Sequence, residues 1–324
     1  MTQEEKMILI EELGVRRRKF NLSRKERLLK YPFLTIRDSL IVRILNQIFR
    51  GRLTIKAVAK LFFGEKMYIT IPPYYDILFY GAFVATDPEV RLTKFFINNL
   101  NENDVFFDLG ANYGYYSLLA SKLVGSHGKV FSFEPDPENF VFLKKNKREN
   151  ISILNKAVTD LNGVVDFYKK RLAKDKMNST VDIENLPRIS SKDELYQKIT
   201  VESITLDNFC SKNGIYPNFI KIDVEGAEEK VLKGAREILK NQSPIIAMEV
   251  IFNPFAEIYK NAIKILTNNN FEIFTIDRET GKLNNLKLEQ ISQYSNDLQK
   301  YLRKKGDGSF DNLIFLKPRS SLHI

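Results

Sequence analysis

Apolar residues in this chain gather in short blocks that alternate with stretches of helical spacing. Val105-Phe106-Phe107 is one such block, apolar throughout as a strand buried on both faces must be, and Asp108 closes it. Gly110-Ala111-Asn112-Tyr113-Gly114 then turns the chain, and Tyr116, Leu118, Leu119 and Ala120 follow at helical spacing. Strand, glycine turn and helix open a doubly wound α/β unit, whose ligands bind outside the carboxyl ends of the strands. Residues 129–133 predict the next strand, ending at Glu134. Asp136-Pro137-Glu138 then starts a helix with an acidic cap and a proline at its first position. Residues 151–158, 218–224 and 244–250 predict the third, fourth and fifth strands, and residues 271–276 and 313–316 the last two.

Two regions depart from this alternation. Residues 1–70 read as helical, with apolar stripes over residues 39–49 and 54–63, and residues 71–324 read as the α/β domain. Within that domain, residues 161–217 occupy a place where one helix normally suffices. They predict a hairpin strand, a polar stretch and a returning strand, an insertion at the ligand edge of the sheet.

Charge sharpens the division. The chain has 324 residues and a net charge of +10. Residues 1–70 hold 16 basic and 7 acidic side chains, leaving 34 and 33 for the rest, so the basic character belongs to the N-terminal segment. Such a segment suits an anionic membrane surface or an anionic glycan, or else is simply a solvated surface. A single cysteine, Cys210, fits a reducing compartment, and no apolar run reaches the roughly 18 residues of a spanning helix. A cytoplasmic protein, peripheral to a membrane at most, is expected.

The glycine turn lacks the G-x-G-x-x-G spacing of a dinucleotide site, since Asn112 and Tyr115 stand where the second and third glycines belong. Gly110 and Gly114 still allow close backbone approach. Glu134, about 20 residues beyond the turn, suits a ribose diol. On the fourth strand, Lys221 and Asp223 share one face of an apolar run and call for a charge partner such as Asp108 or Glu249. His127 and His323 fall in a turn and at the tail, and Cys210 sits in a polar stretch, so carboxylates are the remaining acid–base groups. Asp223 and Glu225, the latter read equally as a helix cap, are the candidates. Asp223, Glu225 and Glu249 offer oxygen ligands of the kind Mg²⁺ takes, but no distinctive spacing marks them and no metal is expected.

With Asp108 to Gly114, Glu134 and Lys221-Ile222-Asp223-Val224-Glu225-Gly226 in place, the chain resembles the FkbM family of methyltransferases from about residue 84 to about residue 248. The resemblance implies a class I methyltransferase fold, a mostly parallel seven-stranded sheet in the order 3-2-1-4-5-7-6, with S-adenosylmethionine as cofactor. Family members are generally O-methyltransferases of sugars or natural products, so a small-molecule or glycan acceptor is implied and nucleic acid is not favoured. A binding protein that keeps the fold without turnover is the alternative. The resemblance places Asp108 and Gly110 beneath the methionine moiety, with Asn112 and Gly114 in the same motif. It places Glu134 on the ribose, Ala157 beside the adenine, and Asp223 with Glu225 at the acceptor.

Overall fold

The computed structural model describes residues 1–32, 54–71, 73–170, 196–252, 256–278, 280–305 and 310–318. Its centre is an eight-stranded sheet. The parallel strands β3 (Val105–Leu109), β4 (Lys129–Phe133), β5 (Ile151–Leu154), β9 (Phe219–Ile222) and β10 (Ile245–Ile251) form its body. β13 (Phe310–Leu316) runs antiparallel between β10 and β11 (Glu272–Ile276). From β5 to β11 the order is the expected 3-2-1-4-5-7-6, and β12 (Leu283–Asn285) adds an edge strand that the apolar pattern did not signal.

Alternation along β3 explains why this strand sits centrally. Phe106 faces one apolar cluster and Phe107 and Leu109 the other, all fully buried. Phe106 packs edge-on to Phe96 of a long helix, Asp87–Asn99, while Phe107 meets Phe209 on the opposite face. Fully burying one such aromatic ring contributes roughly 1.5–3 kcal/mol.

The N-terminal region contains helices α1 (Gln3–Asn21) and α2 (Arg24–Lys30), begun by capping boxes at Thr2 with Glu5 and at Ser23 with Glu26. α1 lays Leu9 and Leu13 into the same apolar cluster as Phe96, and Lys6 Nζ donates to the carbonyl of Leu100 at 2.7 Å. The helix expected over residues 54–63 is instead a β-hairpin, β1 (Ile55–Lys60) with β2 (Lys66–Ile71). Ala59 and its partner Met67 are buried while Val58 and its partner Tyr68 are exposed, a period of two that pairing with a second strand selects over the helical spacing. β2 runs through position 70, where the two regions were expected to divide. The stripe at 39–49, with Arg37, Arg43, Arg50 and Arg52, lies outside the described residues.

Two described strands of the insertion join a strand just before it in a separate three-stranded sheet. β8 (Tyr196–Ile204) lies between β6 (Ala157–Val158) and β7 (Gly163–Lys170). Residues 151–158 are therefore two strands in different sheets rather than one, and Ala157 belongs to the smaller one. Cys210 is fully buried and burial, with Asp207 nearby, pushes its thiol up to about 12, so it is a packed side chain and no nucleophile.

Candidate active site

The carboxyl ends of β3, β4 and β9 meet at a cleft of about 620 Å³, mouth included, lined by Gly110, Asn112, Glu134, Ala157, Asp223 and Glu225 among others. Phe167 of β7, nearly buried, closes one wall from the smaller sheet. Six of the eight residues singled out in the sequence thus share one cavity. Asp108 and Gly114 do not line it; Asp108 is buried within β3 and Gly114 precedes the helix that follows.

Asp108 is buried and accepts from Ser117 Oγ at 2.6 Å, and Ser117 meets Ser132 Oγ at 2.7 Å. Its other oxygen stands 3.5 Å from Lys221 Nζ, an ion pair without hydrogen-bond geometry. The register places these two residues side by side on β3 and β9. Lys221 also reaches Asp223 Oδ2 at 3.1 Å and lies over the Tyr116 ring. Burial pulls the ammonium down, but Asp223 and Asp108 outweigh it and hold it above the usual lysine range. Its partners are therefore the two aspartates; Glu249 is not an ion-pair partner.

Gly110 has a left-handed φ of 74°, and a Cβ there would lie 1.9 Å from the carbonyl oxygen of Asp223. The glycine that suggested ligand approach primarily lets two strand ends pack together. Gly114, φ 91°, begins the helix Tyr115–Val124, and its missing Cβ makes room for Leu143.

Glu134 is 5% exposed and held from two sides. The amide of Asn112 donates to Oε2 at 2.7 Å and that of Asp136 to Oε1 at 2.9 Å. No cation pairs with it in the described hydrogen bonds and ion pairs, and burial with Asp136 nearby pushes its carboxyl up to about 8. Its oxygens already accept from these two amides and, at 3.5 Å, from the Asn139 side chain, and a diol would add two donors to the carboxylate. This observation supports a nucleoside-bearing cofactor in the cleft.

Asp223 and Glu225 follow β9 at the cleft's other side. Glu225 has a left-handed φ of 53°. The amides of Val224 and Gly226, flanking it, donate to Glu228 Oε1 at 3.4 and 3.3 Å, so the carboxylate serving this turn is Glu228 rather than Glu225. Glu228 is fully buried, and burial pushes its carboxyl up to about 7. Oxygens of Asp223, Glu225 and Glu249 lie within 4.8 Å of one another, the one group of acids among the described residues close enough to share a cation. Glu249 is held well above the usual carboxylate range by burial and by Asp223 and Glu225.

The sequence reading missed three contributors. Glu228 stands two residues beyond the Lys221–Gly226 segment, and nothing in the sequence marked it as a buried member. Glu89, which accepts from the Tyr116 hydroxyl, and Tyr74, which donates to Asn112 Oδ1 at 2.5 Å, come from elements before β3 and carried no signal.

Comparison with known proteins gives this geometry a context. Residues 108–273 match the model of the methyltransferase FkbM domain. The hexuronic acid methyltransferase AglP of Haloferax volcanii is 26% identical over 162 residues, covering 49% of this chain and 61% of the relative. A solved methyltransferase FkbM from Methylobacillus flagellatus is 16% identical, covers 66% of this chain and 43% of its own, and superposes with a TM-score of 0.38. The fibrillarin of Aeropyrum pernix, solved with bound S-adenosylmethionine, is 13% identical over 67% of this chain and 68% of its own, with a TM-score of 0.36. The chain spans about three fifths of the curated relative it matches.

Proposed function

Because the chain belongs to the FkbM family of methyltransferases, we propose that it is an S-adenosylmethionine-dependent O-methyltransferase acting on a hydroxyl of a sugar, glycan or other small natural product. The observation that carries this reading is the buried carboxylate of Glu134, held by two backbone amides and paired with no cation among the described residues, in the same cleft as Asp223. S-adenosylmethionine supplies an electrophilic methyl group. Glu134 accepts the ribose hydroxyls, Asn112 and Gly110 shape the turn beside it, and Ala157 borders the base. Asp223, at the end of β9, accepts the proton that the acceptor hydroxyl loses as its oxygen–carbon bond forms, with Glu225 beside it. Lys221 holds Asp223 and is itself paired with Asp108. AglP, named for a hexuronic acid, favours a sugar over other acceptors.

The same basic segment that suits an anionic surface has a second use. Arg16 donates to the carbonyl of Tyr80 at 2.9 Å, Arg17 to that of Val84, and Arg27 to that of Phe20 at 2.8 Å. Arg18, Lys25 and Lys30 of α1 and α2 are exposed and are among the described bases free to meet an anionic membrane or glycan. No helix among the described residues is long and apolar enough to cross a membrane.

The test is transfer of labelled methyl from S-adenosylmethionine into carbohydrate fractions. Asp223→Asn should lower turnover by roughly 10²–10⁴ while leaving cofactor affinity nearly unchanged. Cofactor binding without transfer to any fraction would favour a binding protein that retains the fold, and preferential binding of NADH would overturn the reading.

A further inference from the structure

The segment between β2 and the long helix Asp87–Asn99 precedes the 108–273 match, yet it contacts Asn112, one of the residues that line the cleft. Tyr74 stands at its start, just before the short helix Tyr75–Tyr80, with its ring 4.8 Å from that of Tyr113 and its side chain buried. Its hydroxyl donates to Asn112 Oδ1 at 2.5 Å. Asn112 has a left-handed φ of 52°, uncommon outside glycine though less costly for asparagine. The amide of that same residue donates to Glu134 Oε2 at 2.7 Å. A shift of Asn112 out of its conformation would turn this amide away from the carboxylate. The hydroxyl of Tyr74 and the carboxyl of Glu134 are thus linked through one residue.

We infer that Tyr74 is a positioning residue for the ribose site: its hydroxyl holds Asn112, and Asn112 holds Glu134. The inference rests on the reading of Glu134 as the ribose acceptor. It makes the segment ahead of the family domain part of the cofactor site.

The groups facing Glu134 bear on how this can be tested. Asp136 and Asn139 lie on its own side of the cleft, Tyr74 and Tyr113 on the N-terminal side, Lys156 on the smaller sheet and Asp223 across the opening. Lys169 of β7 stands 3.4 Å from Asp136, and Lys156 is paired with Glu202 at 2.6 Å. The Asn112 amide is one of the few neighbours that favour the charged form of Glu134. Donors from a bound ribose favour the same form, so cofactor affinity rises with pH and levels off near the carboxyl's own value, about 8.

The experiment measures S-adenosylmethionine affinity by titration calorimetry from pH 6 to 9.5 on the full chain and three variants. Tyr74→Phe should weaken binding about 3–10-fold at pH 7.5, the worth of one hydrogen bond. It should also move the levelling point up by about half a pH unit or more. Asn112→Gly, which tolerates the left-handed backbone, removes the acceptor of Tyr74 and keeps the amide that donates to Glu134, should move it in the same direction. A ¹³C titration of the Glu134 carboxyl in ligand-free protein should shift likewise. A structural contribution from Tyr74 alone would lower the melting temperature and leave the levelling point where it was. Unchanged levelling in Tyr74→Phe overturns the inference; if that variant fails to fold, unchanged levelling in Asn112→Gly does so. Glu134→Ala separates the two layers. If it binds as the parent does, the ribose reading fails and the inference with it. If it loses binding while Tyr74→Phe is indistinguishable from the parent, the inference alone fails.

Discussion

The ammonium of Lys221 lies between two carboxylates, 3.1 Å from Asp223 and 3.5 Å from Asp108. Lys221 and Asp108 are almost wholly buried, so neither charge has water to fall back on. Lys221→Met should therefore destabilise the protein by about 3 kcal/mol or more, as removal of one member of a buried pair does. Urea unfolding of parent and variant measures this. A smaller loss than about 1 kcal/mol would show that Asp108 is compensated mainly by Ser117.

Gly110→Ala places a methyl 1.9 Å from the backbone carbonyl oxygen of Asp223, at a φ of 74°. Overpacking and the left-handed backbone together should cost about 3 kcal/mol. The expected result is a protein that melts lower and binds S-adenosylmethionine poorly. A variant that melts with the parent would mean that the ends of β3 and β9 can separate without loss.

Buried carboxyls set a pH dependence, with Glu249 raised in the same direction as Glu134 and Glu228. Burial raises Glu134 to about 8 and Glu228 to about 7, both above the values an unfolded chain gives them. The folded protein therefore binds more protons than the unfolded one in the window between the ordinary carboxyl value and about 8. Stability from these groups is complete below that window and is lost as pH rises through it. Ligand-free protein should melt at a lower temperature at pH 8.5 than at pH 6, and Glu228→Gln should flatten that slope. A melting temperature that rises across this range would contradict the burial of both groups.

Arg16 and Arg17 hold α1 against the carbonyls of Tyr80 and Val84. Replacing both with Met should cost about 1.5–3 kcal/mol for each charged hydrogen bond lost. Thermal melting measures it. Replacing the outward Arg18, Lys25 and Lys30 with Gln should leave melting unchanged and, if the segment meets an anionic surface, remove salt-sensitive binding to anionic liposomes. Parent protein that ignores such liposomes at about 0.15 M salt would end that proposal.

The sequence by itself determined the sheet and most of the cleft. Runs such as Val105-Phe106-Phe107 admit one arrangement, a strand covered on both faces, and Gly110, Glu134 and Asp223 each stand at a strand's end, where the topology must bring them together. The hairpin at Ile55–Lys60 was not legible, because Ala57, Val58 and Leu61 satisfy a helical pattern while Ala57, Ala59 and Leu61 satisfy an alternating one, and only the partner strand Lys66–Ile71 chose between them. Nor could spacing reveal that Lys221 pairs with Asp108 rather than Glu249, since the register of β3 against β9 is a long-range fact. The same holds for Glu228 taking the turn amides, and for Tyr74 reaching Asn112 across 38 positions. Local pattern dictates which face a residue buries. Which polar atom it meets there depends on how separate elements pack, and that was decided only in three dimensions.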